Sequence, residues 1–195
     1  MKKLLITGFD AFGGEQINPS WEAVLRLPDE IKEYKLTKIC IPVVFGKAAD
    51  VAIRAAEKLS ADVVLCIGQA GGRDAITPEL VGINLRYANA PDNSGRAPKD
   101  EPVIAGGENA LFSALPVRRM AEKIKEADIP ARVSYSAGAY VCNDLLYRLL
   151  SRFEGSKTRV GFIHVPYMKE QNKEPSMEIE DIIKGLTLAI EAIDE

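Results

Sequence analysis

The chain has 195 residues, of which 47% are hydrophobic and 27% charged, and its net charge at pH 7 is -3. This charge balance, with no long run of lysine or arginine, argues against nucleic acid as a partner. No apolar stretch is long enough to span a membrane, and the short one after Met1-Lys2-Lys3 is too brief for a signal peptide. We therefore expect one domain over residues 1–195, in a cytoplasmic setting.

The three cysteines are odd in number and have neither CxxC spacing nor the spacing of zinc ligands. They argue against a disulfide framework and against a metal site, so we expect neither a metal nor an organic cofactor. Cys40 and Cys66 lie within apolar strand patterns, where cysteine behaves as a small hydrophobic residue. Both are predicted to belong to the core.

Two kinds of apolar pattern alternate along the chain, short runs typical of strands and helical spacing typical of amphipathic helices. Strands are predicted at residues 3–7, 36–44, 62–67, 81–85, 131–136 and 159–165. Helices are predicted at residues 20–27, 47–59, 115–127, 142–153 and 176–193. This alternation predicts a three-layer α/β/α fold with a twisted sheet that is mostly parallel and partly mixed.

Local signals refine several of these elements. Asn18 is predicted to cap the first helix, with Pro19 just inside it, and Ser176 to cap the last. Pro42 indicates an edge position or a bulge in its strand. Residues 87–107 are polar and rich in Pro, Gly, Asn and Asp, and so long a loop is usually functional or contacts a partner chain.

The candidate nucleophile lies in residues 134–150, which read SYSAGAYVCNDLLYRLL. The stretch opens with strand-type residues, passes through Ala137-Gly138-Ala139 and turns at residues 140–143, so Cys142 is predicted to lie where a strand gives way to a helix. Because the first turn of a helix carries unpaired N–H groups and partial positive charge, we expect a lowered pKa for its thiol. The thiolate is the nucleophilic form of cysteine.

The candidate base is His164, the only histidine, at the end of an apolar strand. A cysteine nucleophile needs a group that accepts its proton near neutral pH, and histidine has the suitable pKa. The carboxyl ends of parallel strands form one rim, so Cys142 and His164 are expected to meet there with the loops that follow Phe9 and Gly68. In the alternative interpretation, His164 and Cys142 are packing residues without chemistry.

A third side chain should hold the imidazole in one tautomer. The sequence offers four carboxylates in predicted rim loops and does not choose among them: Asp10, Asp74, Glu79 and Asp92. Asp144 is excluded as a partner of this site, because residues two apart on a helix do not face each other. Phe9 and Phe12, in the first of these loops, suit a flat uncharged ring bound in a pocket.

Short motifs in fixed order over nearly the whole chain resemble pyroglutamyl peptidase type I, the pyrrolidone-carboxylate peptidases. They are GFDAFGG at 8–14, NPS at 18–20, GQAGGR at 68–73, ITPE at 76–79, APDNSG at 90–95, SAGAYVCN at 136–143 and GFIHVPY at 161–167. The resemblance implies an α/β/α cysteine peptidase that removes pyroglutamate from the N-terminus of peptides through a thioester. It also implies assembly as a homotetramer.

The same resemblance implies roles for individual residues. Cys142 would be the nucleophile, His164 the general base and acid, and Glu79 the group that orients His164. Aromatic side chains would enclose the lactam ring, and the backbone of Gln69 would contact it. The predicted substrate-binding set is Phe9, Phe12, Asn18, Gln69, Tyr140 and Val141.

Two positions depart from the family pattern. The family commonly has arginine directly after the glutamate and again before its I-P-D-N segment, where this chain has Leu80 and Asn89. The differences bear on rate and specificity. They leave two alternatives open, another small cyclic amide as the substrate of the same triad, or a non-catalytic module that binds a small molecule.

Overall fold

The computed structural model describes residues 1–195. Its strands are β1 (Lys2–Phe9), β2 (Glu30–Ile31), β3 (Tyr34–Ile41), β4 (Val63–Gln69), β5 (Thr77–Pro78), β6 (Val81–Ile83), β7 (Ala110–Phe112), β8 (Arg159–Val165), β9 (Tyr167–Met168) and β10 (Ser176–Met177). Its helices are α1 (Pro19–Arg26), α2 (Lys47–Leu59), α3 (Val117–Lys125), α4 (Val141–Phe153) and α5 (Ile179–Glu191), with a short 3-10 helix at Lys169–Gln171. None of these helices has the length and apolar character needed to cross a membrane.

The central sheet has six strands in the order β2-β3-β1-β4-β8-β5. The four inner strands are parallel, and β2 and β5 pair antiparallel at the two edges. The predicted α/β fold with a mostly parallel, partly mixed sheet is therefore confirmed. Because β1, β4 and β8 run in one direction, their carboxyl ends form a single rim.

Side chains that alternate along the strands divide the core into two layers. Leu4 and Ile6 of β1 pack in the cluster formed with α1, α3 and α5, whereas Leu5 packs in the cluster formed with α2 and α4. A strand covered on both faces needs apolar residues at every position, which accounts for the continuous apolar run in β4.

The predicted strand at residues 131–136 is wrong. Only single bridges form there, between Ile76 and Ala131 and between Glu79 and Ser134. The backbone runs parallel to residues 76–80, with hydrogen bonds from Ile76 N–H to Pro130 O and from Ser134 N–H to Pro78 O. Between these bonds the ladder is interrupted, because Pro78 has no N–H to donate.

The predicted start of the last helix at Ser176 is also wrong. Ser176 and Met177 form β10, which pairs in parallel with β9, and α5 begins at Ile179. The Ser176 hydroxyl hydrogen-bonds to Glu174 Oε1 at 3.1 Å and caps no helix. Glu178 occupies the N-cap position without a side-chain cap.

Cys40 lies at the surface, contrary to its predicted place in the core. The edge strand β2 pairs with Tyr34 and Lys35, and the Leu36 N–H donates to Asp29 O at 2.8 Å, so Cys40 lies beyond the paired part of β3. Cys66, in the central strand β4, is fully buried as predicted.

Gly8 allows β1 and α1 to approach closely. A Cβ at this position would lie 2.6 Å from Trp21 Cα and 2.8 Å from Ser20 O, and both are backbone atoms. We expect Gly8→Ala to lower the free energy of unfolding by about 1–3 kcal/mol, because the backbone must shift to relieve the overlap. Urea denaturation measures this. Thr37→Ala, at an exposed position of β3, is the control and should change stability by less than about 0.5 kcal/mol. Equal losses in the two variants would contradict the expectation.

Candidate active site

Cys142 lies in the first turn of α4, after an irregular turn. Residues 135–139 form no strand, and Gly138 has φ of 77°, a left-handed conformation that glycine adopts without strain. The turn at Gly138 ahead of the helix is as predicted, but the strand predicted before it does not form. The helix nevertheless begins at Val141, so backbone N–H groups next to the thiol have no acceptor within the helix.

The sulfur of Cys142 lies above Gly68 of β4. A Cβ built on Gly68 would be 3.1 Å from Sγ and 2.7 Å from Cζ of Phe162. His164 is the register partner of Gly68 on the neighbouring strand β8, and its ring centroid is 4.7 Å from that of Phe162. The fold thus brings Cys142 and His164 to one rim, on the sheet face covered by α2 and α4.

Glu79 hydrogen-bonds to the imidazole ring of His164. It follows the edge strand β5, which pairs with β8, and its Oε1 is 2.6 Å from His164 Nδ1. Both residues are buried, with 0% and 3% of their surfaces exposed. An ionised carboxylate only accepts hydrogen bonds, so Nδ1 carries the proton and Nε2 is left as an acceptor.

The other three candidate carboxylates, and the excluded Asp144, are engaged elsewhere. Asp10 accepts the Val43 N–H, Asp74 pairs with Arg132, Asp92 accepts the Phe45 N–H, and Asp144 pairs with Arg86. Of the candidates, Glu79 alone hydrogen-bonds to the histidine. The contact joins residues 85 positions apart in the chain.

Arg73 is a member of this network that the sequence did not single out. Its Nη1 donates to Glu79 Oε1 at 2.7 Å and to Thr77 Oγ1 at 2.6 Å, and its Nη2 donates to Ser136 O at 3.1 Å. The one available signal was that Arg73 ends the GQAGGR motif, which does not reveal a partner. The guanidinium places a positive charge beside the buried carboxylate.

Burial and charge set the protonation states of the three groups. Burial by itself raises the pKa of Glu79, but hydrogen bonds from His164 and Arg73 outweigh it, so the pKa is lowered and the carboxylate is ionised. Burial lowers the pKa of His164, and the Arg73 charge adds to this against the opposing effect of Glu79. The histidine is therefore neutral at pH 7 and can accept a proton.

The pKa of the Cys142 thiol is shifted in the direction opposite to the expected one. Burial raises its pKa to about 12, and the negative charge of Glu79 acts in the same direction. The predicted acidifying effect of the helix start is thus outweighed by desolvation. Because the thiol is protonated in the free protein, its proton must leave as the sulfur attacks.

A small cavity of about 40 Å³ opens beside the sulfur. Its lining is formed by Phe9, Phe12, Asn18, Val43, Gln69, Tyr140 and Cys142. One water needs about 10–15 Å³ of such volume, so the cavity has room for roughly three waters. This is about the size of a small ring. It contains no ionised side chain.

Five of the six predicted substrate-binding residues line this cavity, and Val141 does not. Its side chain is fully buried in the core under α4. Val43 was not predicted, since nothing in its strand pattern distinguishes it from a core valine.

Hydrogen bonds fix the polar members of the lining. Asn18 caps α1 as predicted, with its Oδ1 accepting the Ser20 N–H at 3.0 Å, and its Nδ2 donates to Asp10 O at 2.9 Å. Gln171 donates to the side-chain oxygen of Gln69 at 3.0 Å. The Gln69 amide is thereby held toward the 3-10 helix.

The two positions that depart from the family pattern lie outside this cavity. Leu80 is half-buried, and its N–H donates to Ser134 O at 2.8 Å. Asn89 is exposed and lines a second, larger cavity next to the first. The structure contains no group of three or more His, Cys, Asp or Glu side chains arranged to hold a metal ion.

The site combines a cysteine at a helix start with a histidine and a carboxylate at one rim of an α/β sheet. This combination is typical of enzymes with a thiol nucleophile. Comparison with known proteins agrees. The family model described as pyroglutamyl peptidase matches residues 2–195. The chain belongs to the pyroglutamyl peptidase family.

Relatives of known name support this assignment over the full length. The chain is 46% identical to the pyrrolidone-carboxylate peptidase of Lactobacillus helveticus, with 97% of each protein covered. It is 49% identical to that of Thermosipho africanus, covering 98% of this chain and 96% of the relative. The crystal structure of Bacillus amyloliquefaciens pyroglutamyl peptidase I superposes with a TM-score of 0.94 at 44% identity, over 99% of this chain and 97% of that one.

Arg73 should influence the titration of His164. We expect Arg73→Met to raise the pKa of the imidazole, because the positive charge that opposes its protonation is removed. NMR titration of the ring protons measures this directly, since the chain has one histidine. Arg73→Lys retains the charge and should lie closer to the unaltered protein. A lower pKa in Arg73→Met would contradict the expectation.

Proposed function

We propose that the chain is a thiol exopeptidase that hydrolyses the bond after an N-terminal pyroglutamyl residue, with Cys142, His164 and Glu79 as its catalytic triad. The observation that carries the proposal is the placement of the Cys142 sulfur between a small uncharged cavity and the rim position of His164. Family membership supports the same reaction. Residues 1–195 are proposed to act as one domain.

In the first step, His164 Nε2 takes the thiol proton as the sulfur attacks the carbonyl carbon of pyroglutamate. Glu79 holds the Nδ1 proton and stabilises the imidazolium that forms. Negative charge develops on the carbonyl oxygen, and N–H groups in the first turn of α4 stabilise it. Each such donor is typically worth about 3 kcal/mol.

Collapse of this intermediate breaks the C–N bond. His164 returns its proton to the departing amine, and pyroglutamate remains on Cys142 as a thioester. In the second step, His164 takes a proton from water, whose oxygen attacks the thioester carbon. The sulfur then leaves, recovers the proton from His164, and free pyroglutamate is released.

The cavity accounts for the choice of substrate. A pyroglutamyl group has no free α-amine and no charge, so it needs apolar walls and a few hydrogen bonds. Phe9, Phe12 and Tyr140 supply aromatic walls. Gln69 is proposed to bind the lactam through its backbone, because the side-chain oxygen of Gln69 already accepts a hydrogen bond from Gln171. Val141 is proposed to act through its backbone, since its side chain is in the core.

Loss of the triad should abolish this activity. We expect Cys142→Ser and His164→Ala to lower kcat/KM for a pyroglutamyl anilide by at least about 10³-fold, because the nucleophile or its base is missing. Release of the chromogenic amine measures the rate. Cys40→Ser, at an exposed thiol away from the site, is the matched control and should retain full activity. Normal turnover in Cys142→Ser would refute the assignment.

The chain is also proposed to be cytoplasmic and to assemble as a homotetramer. All three cysteines are free thiols, as expected for a reducing compartment. Large apolar side chains at the surface support self-association, among them Phe112 and Tyr135 with 68% and 62% of their surfaces exposed.

Light scattering tests the assembly. We expect the mass of four chains at micromolar concentration, and we expect Phe112→Ser to lower it, because an apolar contact is lost. Lys157→Ser, a polar exposed position, should not change the mass. A mass of one chain for the unaltered protein would contradict the tetramer.

A further inference from the structure

One of the two carboxylate oxygens of Glu79, Oε2, is buried and accepts no hydrogen bond from the protein. Both donors that reach this carboxylate, His164 Nδ1 and Arg73 Nη1, share the other oxygen, Oε1, at 2.6 and 2.7 Å. A buried carboxylate oxygen without a donor costs free energy, because it has left water and gained no partner. The terminal torsion of a glutamate is broad, so a carboxylate held at one oxygen can still rotate.

Ser134 is the residue placed to donate to this oxygen. It is the bridge partner of Glu79. Its N–H donates to Pro78 O at 2.9 Å, and its O accepts the Leu80 N–H at 2.8 Å. Side chains of residues directly opposite each other lie on the same face of a ladder. The hydroxyl also acts on the carboxylate, because burial raises the pKa of Glu79 and Ser134 is one of the groups whose hydrogen bonds lower it.

The acceptor that the Ser134 hydroxyl now uses is a weak one. Oγ donates to Ser136 O at 3.2 Å, beyond the usual range of about 2.5–3.0 Å for a hydroxyl donor. Ser136 O already accepts Arg73 Nη2 at 3.1 Å, so it keeps a partner when the hydroxyl turns away. A hydrogen bond to a carboxylate is roughly twice as strong as one between neutral groups. Rotation of this half-buried serine toward Oε2 of Glu79 is therefore favourable.

We propose that Ser134 is a positioning residue of the reaction, whose hydroxyl donates to Oε2 of Glu79 while Arg73 donates to Oε1. The inference rests on the proposed function. With a donor on each oxygen, the carboxylate keeps the orientation in which Oε1 accepts the Nδ1 proton of His164. The imidazole then keeps Nε2 as the acceptor of the thiol proton. Ser134 touches neither the substrate nor the reacting atoms and acts only through Glu79.

Kinetics of a Ser134 variant test this role. We expect Ser134→Ala to lower kcat for a pyroglutamyl anilide by about tenfold and to change KM by less than about twofold, because the lost hydrogen bond orients the triad without binding substrate. Ser156→Ala is the matched control and should retain full kcat. Both hydroxyls accept the N–H two residues further along the chain, from Ser136 at 3.4 Å and from Thr158 at 3.2 Å. Ser156 lies beyond the C-terminal end of α4.

Two variants of similar shape separate the hydroxyl from packing. Ser134→Thr keeps the hydroxyl and should stay within about twofold of the unaltered protein, whereas Ser134→Val carries a methyl group in its place and should lose about tenfold in kcat. Equal kcat in the two would show that the hydroxyl is not responsible and would overturn the proposal. This comparison also decides the matter if Ser134→Ala does not fold.

A double variant tests whether Ser134 acts through Glu79. In Glu79→Ala, the further change Ser134→Ala should alter kcat by less than about twofold, because the carboxylate that it orients is absent. A further tenfold loss would show a role independent of Glu79 and overturn the proposal. Full kcat in Ser134→Ala alone, as expected if water donates to Oε2 instead, would also overturn it.

The ring N–H resonance of His164 reports the same contact without substrate, since the chain has one histidine. It should shift in Ser134→Ala and stay in place in Ser156→Ala, and an unchanged resonance in both would contradict the positioning role. If the unaltered protein does not cleave the anilide, the proposed function fails, and this resonance still decides whether Ser134 holds the carboxylate.

Discussion

The missing side chain at Gly68 is the constraint on which the site depends. The sulfur of Cys142 and the ring of Phe162 occupy the space that a Cβ would take, at 3.1 and 2.7 Å. Because Gly68 is paired with His164 in the parallel register, this open position also brings the sulfur to the strand that carries the histidine. A Cβ at position 68 would overlap the Phe162 ring and crowd the Cys142 sulfur, so these side chains would have to shift.

A buried carboxylate next to that position supplies the electrostatics. Glu79 is fully buried and shares one oxygen between His164 and Arg73. Burial of a charge is costly unless it is paired, and these two partners keep the carboxylate ionised. Burial lowers the pKa of His164 against the opposing effect of Glu79, and burial together with the Glu79 charge keeps the Cys142 thiol protonated, so the proposed reaction proceeds by proton transfer during attack.

Two cavities of different character lie side by side next to the sulfur. The small one has aromatic walls and hydrogen-bonded polar groups, which suits a single compact ring. The larger one has no charged residue in its lining. Phe12 and Tyr140 belong to both, so a change in either ring would alter both cavities.

The sequence by itself determined the α/β architecture, the cap at Asn18, the cysteine and histidine of the rim, and most of the small cavity's lining. These follow from apolar periodicity, from local hydrogen-bonding chemistry and from motifs whose order matches the family. Periodicity could not choose Glu79 from four carboxylates, and it gave no sign of Arg73. The family resemblance named Glu79, but only the tertiary structure showed its contact with His164, 85 positions away in the chain, and the part that Arg73 takes in it.

The same distinction explains the errors. Cys40 was assigned to the core because its strand is apolar, but burial depends on which strand lies next to it, and β2 is too short to cover it. The direction of the Cys142 pKa shift was predicted from the helix start, a local feature, whereas desolvation by the surrounding fold decides it. Local pattern determines what an element is, and the packing of elements determines the environment in which its side chains react.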